Sequence, residues 1–161
     1  MDSIFHKLSK SLKKQNFNII DYDFERPWGG FFVFDECDAQ KFADLYFNGL
    51  KTDDLMVSGK LSPKILIITP FKRLSWQYHL RRREIWNVIS GEIKVVTSQD
   101  DKERIEKILK EGDKIKLSKG VRHRIVGTND YAVVAEIWIH TDKDNPSDEN
   151  DIVRLQDDYG R

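Results

Sequence analysis

The chain has 161 residues and carries 27 Lys+Arg against 27 Asp+Glu, a length that is most simply one domain with a substantial core. Its balanced charge supplies no global field toward nucleic acid or a membrane surface. No apolar run is long enough to span a bilayer, MDSIFHKLSKSLKK lacks the apolar core of a signal peptide, and the one cysteine, Cys37, can form no intrachain disulfide, so a reducing cytoplasm is the expected location.

In chain order, Asp2–Lys14 reads as a short amphipathic helix with Ile4, Leu8 and Leu12 on one side. It stops in the polar stretch Gln15–Asn18. Pro27, Gly29 and Gly30 mark a turn. Phe31–Phe34 is an apolar strand, and Ala39–Asn48 is a second helix that ends at Gly49. Leu50–Leu61 is irregular, with a turn near Ser58-Gly59. From Lys64 the texture becomes β. Lys64–Thr69, Trp76–His79 and Ile85–Ile89 are strands, and Glu92–Thr97 follows Ser90-Gly91 as the next strand of a hairpin. Ile105–Leu109, Lys114–Leu117, His123–Val126 and Tyr131–Ile139 complete the set. Many short strands separated by turn residues predict an all-β sandwich or barrel. The absence of βα alternation argues against a parallel α/β sheet. Thr141–Asp151 is acidic and polar.

The residues that carry chemistry sit in SWQYHLRRREIWNVISG, Ser75–Gly91. Gln77 and His79 are two apart, so a strand places both on one face. Glu84 follows a charged turn, and His123 begins a later strand. Two imidazoles, a carboxylate and an amide oxygen suit one borderline divalent cation: Zn²⁺ first, with Mn²⁺, Co²⁺, Fe²⁺ or Ni²⁺ also compatible. Such a site has a net charge of about +1 and favours an anionic or oxygen-rich ligand. Taken singly, His79 reads more readily as a half-buried strand histidine and Glu84 as a partner of Arg81 or Arg82; the joint pattern is what favours a metal site.

Gln77-x-His79-x₄-Glu84-x₆-Gly91 resembles the first cupin motif, with Gln77 where most cupins have histidine. Gly112-x₅-Ser118-x-Gly120-x₂-His123 resembles the second, with Ser118 in place of proline. Within cupins, RPWGGFFVF, the Ser75–Gly91 stretch, GVRHRI and DIVRLQDDYGR resemble the type II mannose-6-phosphate isomerase (phosphomannose isomerase) domain. That domain is often fused behind a guanylyltransferase; here it reads as standalone. The resemblance covers Arg26 to Arg161, with a gap around Ala39–Leu61. It departs from the family at Leu80-Arg81, where a histidine-rich run is usual, and at Ile85 and Phe71.

The resemblance implies a jelly-roll (double-stranded β-helix) barrel with short N-terminal helices. Residues 1–24 would form a helical extension, 25–140 the barrel, and 141–161 a tail folding back on it. It implies a metal-dependent isomerase interconverting mannose 6-phosphate and fructose 6-phosphate through an enediol. Arg82 is placed near the reacting oxygens as an electrostatic stabiliser. Lys64 is a candidate base, with a strand-end lysine reaching solvent as the alternative. Arg26, Arg154 and Arg161 are candidates for the phosphate. A small sugar phosphate is the expected partner, with no nucleic acid or membrane, and a homodimer is implied. Trp28 walls the pocket or plugs the barrel; Trp76, Trp86 and Trp138 are expected in the core, and His6 and His140 at the surface. The competing readings are a non-catalytic sugar- or sugar-phosphate-binding cupin and another cupin of sugar-nucleotide metabolism.

Overall fold

The computed structural model describes residues 2–161. Helices α1 and α2 span Asp2–Lys14 and Ala39–Tyr46. The first five strands are β1 Ile19–Arg26, β2 Gly29–Phe34, β3 Lys64–Ile68, β4 Trp76–Tyr78 and β5 Arg82–Ser90. Then come β6 Glu92–Ser98, β7 Ile105–Lys110, β8 Lys114–Leu117, β9 Arg122–Gly127, β10 Ala132–His140 and β11 Val153–Gln156. They build two sheets with the orders β1-β2-β3-β10-β5-β8 and β11-β4-β9-β6-β7, and every pairing is antiparallel. This is the all-β architecture expected.

The six-stranded sheet is covered on both faces, and that explains its sequence. In β3, Ile65 and Ile67 pack with Leu12 of α1 and Phe42 of α2. Their neighbours Leu66 and Ile68 pack with Ile93 and Ile125 of the opposite sheet. Every residue of β3 and β10 is therefore buried, so these strands read as continuous apolar runs rather than alternating ones. The outer layer is aromatic: the rings of Phe17 and Phe34 lie 5.0 Å apart and those of Phe34 and Phe42 5.2 Å. Fully burying Leu12 and Phe42 contributes roughly 1.5–3 kcal/mol each. The inner layer between the sheets is closed with aliphatics at one end and opens into a polar cavity at the other.

Two expectations need correction. The helix Asp2–Lys14 lies where it was expected, but residues 1–24 are not a purely helical extension, because Ile19–Arg26 forms β1 against β2, pairing Tyr22 with Phe32. As an edge strand, β1 buries little, and its alternating charged residues hide it from a search for apolar runs. Ser90-Gly91 is also not a hairpin turn. β5 pairs with β10 and β8, whereas β6 pairs with β7 and β9. Gly91 is the corner at which the chain changes sheets. Its φ is +77°, and a Cβ there would lie 2.5 Å from the Tyr131 carbonyl oxygen, so a residue without a side chain is required.

Candidate metal centre

Strand register brings the ligand-type residues together. His79 directly follows β4, Glu84 lies on β5 and His123 on β9. Gln77 pairs directly with His123 across β4 and β9. The side chains of His79, Glu84 and His123 are buried and offer one ligand atom each, all within 4.8 Å of one another. His79 Nε2 is 3.2 Å from Glu84 Oε1, and His123 Nε2 is 3.5 Å from Glu84 Oε2. Gln77 sits at the rim. Its Nε2 lies 3.5 Å from His79 Nε2, and its Oε1 accepts from the Ser75 hydroxyl.

Both imidazoles are held from behind. His79 Nδ1–H donates to the Asp151 carbonyl at 2.6 Å, and His123 Nδ1–H donates to the Val121 carbonyl at 2.9 Å. That fixes the tautomer and aims each Nε2 lone pair at the Glu84 carboxylate, the arrangement that metal-ligating histidines adopt. Glu84 Oε1 and His79 Nε2 have the Arg82 guanidinium beside them, whereas Glu84 Oε2 and His123 Nε2, 3.5 Å apart, repel unless a cation or proton lies between them. Among the described residues, Glu84 Oε2 and His123 Nε2 are buried with no hydrogen-bond partner. The three side chains therefore fit a divalent ion: neutral imidazoles, one carboxylate, and two buried atoms still unsatisfied.

Ionisation states agree with this use. Burial works to raise the Glu84 carboxyl, but His79 in its protonated form and the Arg82 guanidinium outweigh it and hold the group well below the usual range; a bound metal ion would stand in for that proton. Burial pushes His123 down to about 4, so its ring is neutral at neutral pH. Arg82 is buried and borders the same cluster. Its Nε donates to Glu84 Oε1 at 2.8 Å, and its Nη2 lies 3.1 Å from His79 Nε2. The guanidinium stacks 3.6 Å over the Trp138 ring, and Nη1 donates to Ser147 Oγ at 2.9 Å. The alternative pairing of Glu84 with Arg82 thus coexists with the ligand cluster.

Glu84 and His123 of the cluster, together with Gln77 and Arg82, line a cavity of about 200 Å³. Lys64, Arg26, Arg154 and Arg161 line its walls. Lys64 Nζ is engaged by the Glu149 carboxylate and lies 4.0 Å over the Trp138 ring. Arg26 pairs with Asp23 at 2.9 Å, and Arg161 with Asp157 at 3.0 Å. Arg154 has no carboxylate partner among the described residues. Burial first, then Arg161 and Arg26, push its guanidinium below the ordinary range. Trp28 and Trp138 both line the cavity and belong to the buried interior, Trp86 donates its indole N–H into it, and Trp76 is buried with its indole on the Asp101 carbonyl.

Three features escaped sequence reasoning. His140, expected at the surface, is 2% exposed. Its Nδ1 accepts the Ser147 N–H at 2.9 Å and its Nε2 meets Ser62 Oγ at 3.1 Å. The acidic stretch after β10 is a wall of the site rather than a plain surface loop. The Asp151 carboxylate accepts the backbone N–H groups of Leu80 and Arg81 at 2.9 and 3.0 Å and the Ser147 hydroxyl at 2.6 Å. Glu136, a lone acid inside the apolar β10, lines the cavity and accepts the Trp86 indole N–H at 3.0 Å. The signal for Glu136 was in view, since a charge is costly in a strand buried on both faces. His6, by contrast, is exposed as expected.

The sequence profile of the family described as mannose-6-phosphate isomerase C-terminal matches residues 39–157. The match runs through the Ala39–Leu61 insert, where a gap was expected, and stops short of Arg26 and Arg161. No curated protein matches the chain at a significant level. Among solved structures, CapF with the inhibitor 3-isopropenyl-tropolone is similar at 17% identity and a TM-score of 0.56, covering 87% of this chain and 34% of that one. Oxalate decarboxylase from Bacillus subtilis is similar at 17% identity and a TM-score of 0.55, covering 80% and 28%. Drosophila melanogaster CENP-C bound to CAL1 is similar at 16% identity and a TM-score of 0.51, covering 73% and 75%. The chain spans about a third of the first structure and less of the second. At these identities the likeness is one of fold, that of a cupin barrel.

Proposed function

The chain belongs to the mannose-6-phosphate isomerase C-terminal family, and on that premise we propose that it interconverts mannose 6-phosphate and fructose 6-phosphate with the help of one divalent metal ion. The observation that carries the reading is the shape of the charge in the cavity. Glu84 and His123 of the His79/Glu84/His123 cluster line it, and Arg26, Arg154 and Arg161 line it too. One of these arginines, Arg154, has no carboxylate partner among the described residues and is disfavoured by the other two. A dianionic phosphate relieves that repulsion and accepts charge-assisted bonds from the cluster. The sugar end of the same molecule then lies over Glu84 and His123.

His79, Glu84 and His123 would hold the ion, with Gln77 at the rim able to add its amide oxygen. Zn²⁺ is the first choice for this donor set. Bound there, the ion supplies Lewis-acid polarisation of the sugar's carbonyl and hydroxyl oxygens. Arg82 contributes fixed positive charge beside those oxygens, held by Glu84, Ser147 and the Trp138 face. The arginine wall fixes the phosphate and so the position of C1 and C2, which supplies the orientational part of the rate. Lys64, engaged by Glu149, acts as a positive group on the wall.

The test is to supply mannose 6-phosphate to protein loaded with Zn²⁺, Mn²⁺ or Co²⁺ and to follow fructose 6-phosphate. Ketose formation supports the reading. Saturable binding of the sugar phosphate without turnover in any metal form would replace it with a sugar-phosphate-binding cupin.

A further inference from the structure

We propose that Glu136 is the group that carries the proton between C2 and C1 of the sugar. This rests on the isomerase reading above and names the base that reading requires.

The other cavity groups have prior commitments. Glu84, His79 and His123 face one another as ligands, and both imidazoles already donate Nδ1–H to carbonyls. Lys64 is engaged by Glu149. The arginines hold their protons too tightly to act as bases. Glu136 is the remaining carboxyl that lies inside the cavity on a rigid strand.

Register fixes its position. β10 lies between β3 and β5, so Glu136 has Lys64 directly on one side and Trp86 directly on the other. Glu84 stands opposite Trp138, two residues farther along β10. Glu84 and Glu136 are therefore diagonal neighbours on one face, about 7–8 Å apart between their backbones. A sugar with its oxygens over the metal cluster has C1 and C2 between the two carboxyls. The Trp86 indole holds Oε1 at 3.0 Å, and among the described residues no donor reaches Oε2. Burial pushes the Glu136 carboxyl up to about 7; the negative charge of Glu84 adds to this, while Lys64 and Arg82 oppose it. A carboxyl near neutrality can both take and return a proton at working pH.

The step balances within the substrate. Glu136 Oε2 takes the proton from C2, and the C–H electron pair becomes the C1=C2 bond of the enediol. The former carbonyl oxygen O1 gains the proton that O2 gives up. Glu136 then returns its proton to C1, and the O2 electrons form the new carbonyl. No oxidant, reductant or external acid is consumed.

Glu136→Gln separates this role from a structural one, because the amide oxygen still accepts the Trp86 indole. The experiment incubates Zn²⁺-loaded wild type and variant with fructose 6-phosphate in D₂O. Deuterium at C1 and mannose 6-phosphate are read together, with metal content and sugar-phosphate binding measured alongside. The expected result is wild-type metal content and binding in the variant, with both rates lower by about a hundredfold or more. Rates within threefold of wild type overturn the proposal. Deuterium uptake by wild type without mannose 6-phosphate, abolished in Glu136→Gln, supports Glu136 and overturns the mannose reading alone. Neither exchange nor isomerisation in wild type overturns both. If the Gln variant fails to fold, Glu136→Asp takes its place; it withdraws the acid and is expected to lose at least tenfold, and an unchanged rate overturns the proposal.

Discussion

His79 donates its Nδ1–H to the main-chain carbonyl of Asp151 over 2.6 Å, so a candidate metal ligand beside β4 is oriented by the segment that leads into β11. The Asp151 carboxylate fastens that segment in turn, by accepting the N–H groups of Leu80 and Arg81 and the Ser147 hydroxyl. Asp151→Asn places an amide N–H₂ against these donors. We expect zinc affinity to fall about 10–100-fold, together with a lower melting temperature. Zinc titration and thermal melting read both, and an unchanged affinity contradicts the link between Asp151 and the ligand.

Among the described residues, Arg154 is the cavity arginine without a carboxylate partner, so its removal breaks no ion pair seen among them. Arg154→Ala is expected to raise KM for the sugar phosphate about tenfold or more, the loss of one charged hydrogen bond. Metal content should not change. Steady-state kinetics on fructose 6-phosphate with parallel elemental analysis decides this, and an unchanged KM removes Arg154 from the phosphate site.

His140 makes stability depend on pH. Burial first, then the positive charges of Lys60, Arg82 and Arg81, depress it to about 4, against the opposing charge of Asp151. Its neutral ring accepts the Ser147 N–H, which an imidazolium cannot do. The unfolded chain therefore binds more protons than the folded one between pH 4 and 6.5. Stability from this group is present above 6.5 and is lost as pH falls toward 4. Denaturant unfolding across that window should show the decline, and His140→Gln should flatten it. A slope identical in the two proteins contradicts the assignment.

The parts of the fold legible in the sequence are those set by local rules. The period of two placed Gln77 and His79 on one face, and positive-φ glycines marked Gly91, Gly112 and Gly120 as turns. What remained hidden depends on partners far along the chain. Gly91 looks the same whether it closes a hairpin or turns a corner between sheets, and only the strand pairing decides. His140 and Ser62 are separated by 78 residues, and His79 and Asp151 by 72, so nothing near either residue announces the contact. Glu136 was masked for another reason: the eight residues around it in β10 read so strongly as core that the one acid among them passed as part of a strand.

On the proposed reading, the His79/Glu84/His123 cluster binds a metal on which sugar-phosphate isomerisation depends. That reading is tested most directly by stripping the protein with a chelator, supplying mannose 6-phosphate, and restoring Zn²⁺, Mn²⁺ or Co²⁺ in turn. The stripped protein is expected to form no fructose 6-phosphate and to regain turnover after at least one metal is restored, and His123→Ala is expected to show neither bound metal nor product. Undiminished turnover in the stripped protein, or full metal content in His123→Ala, would contradict it.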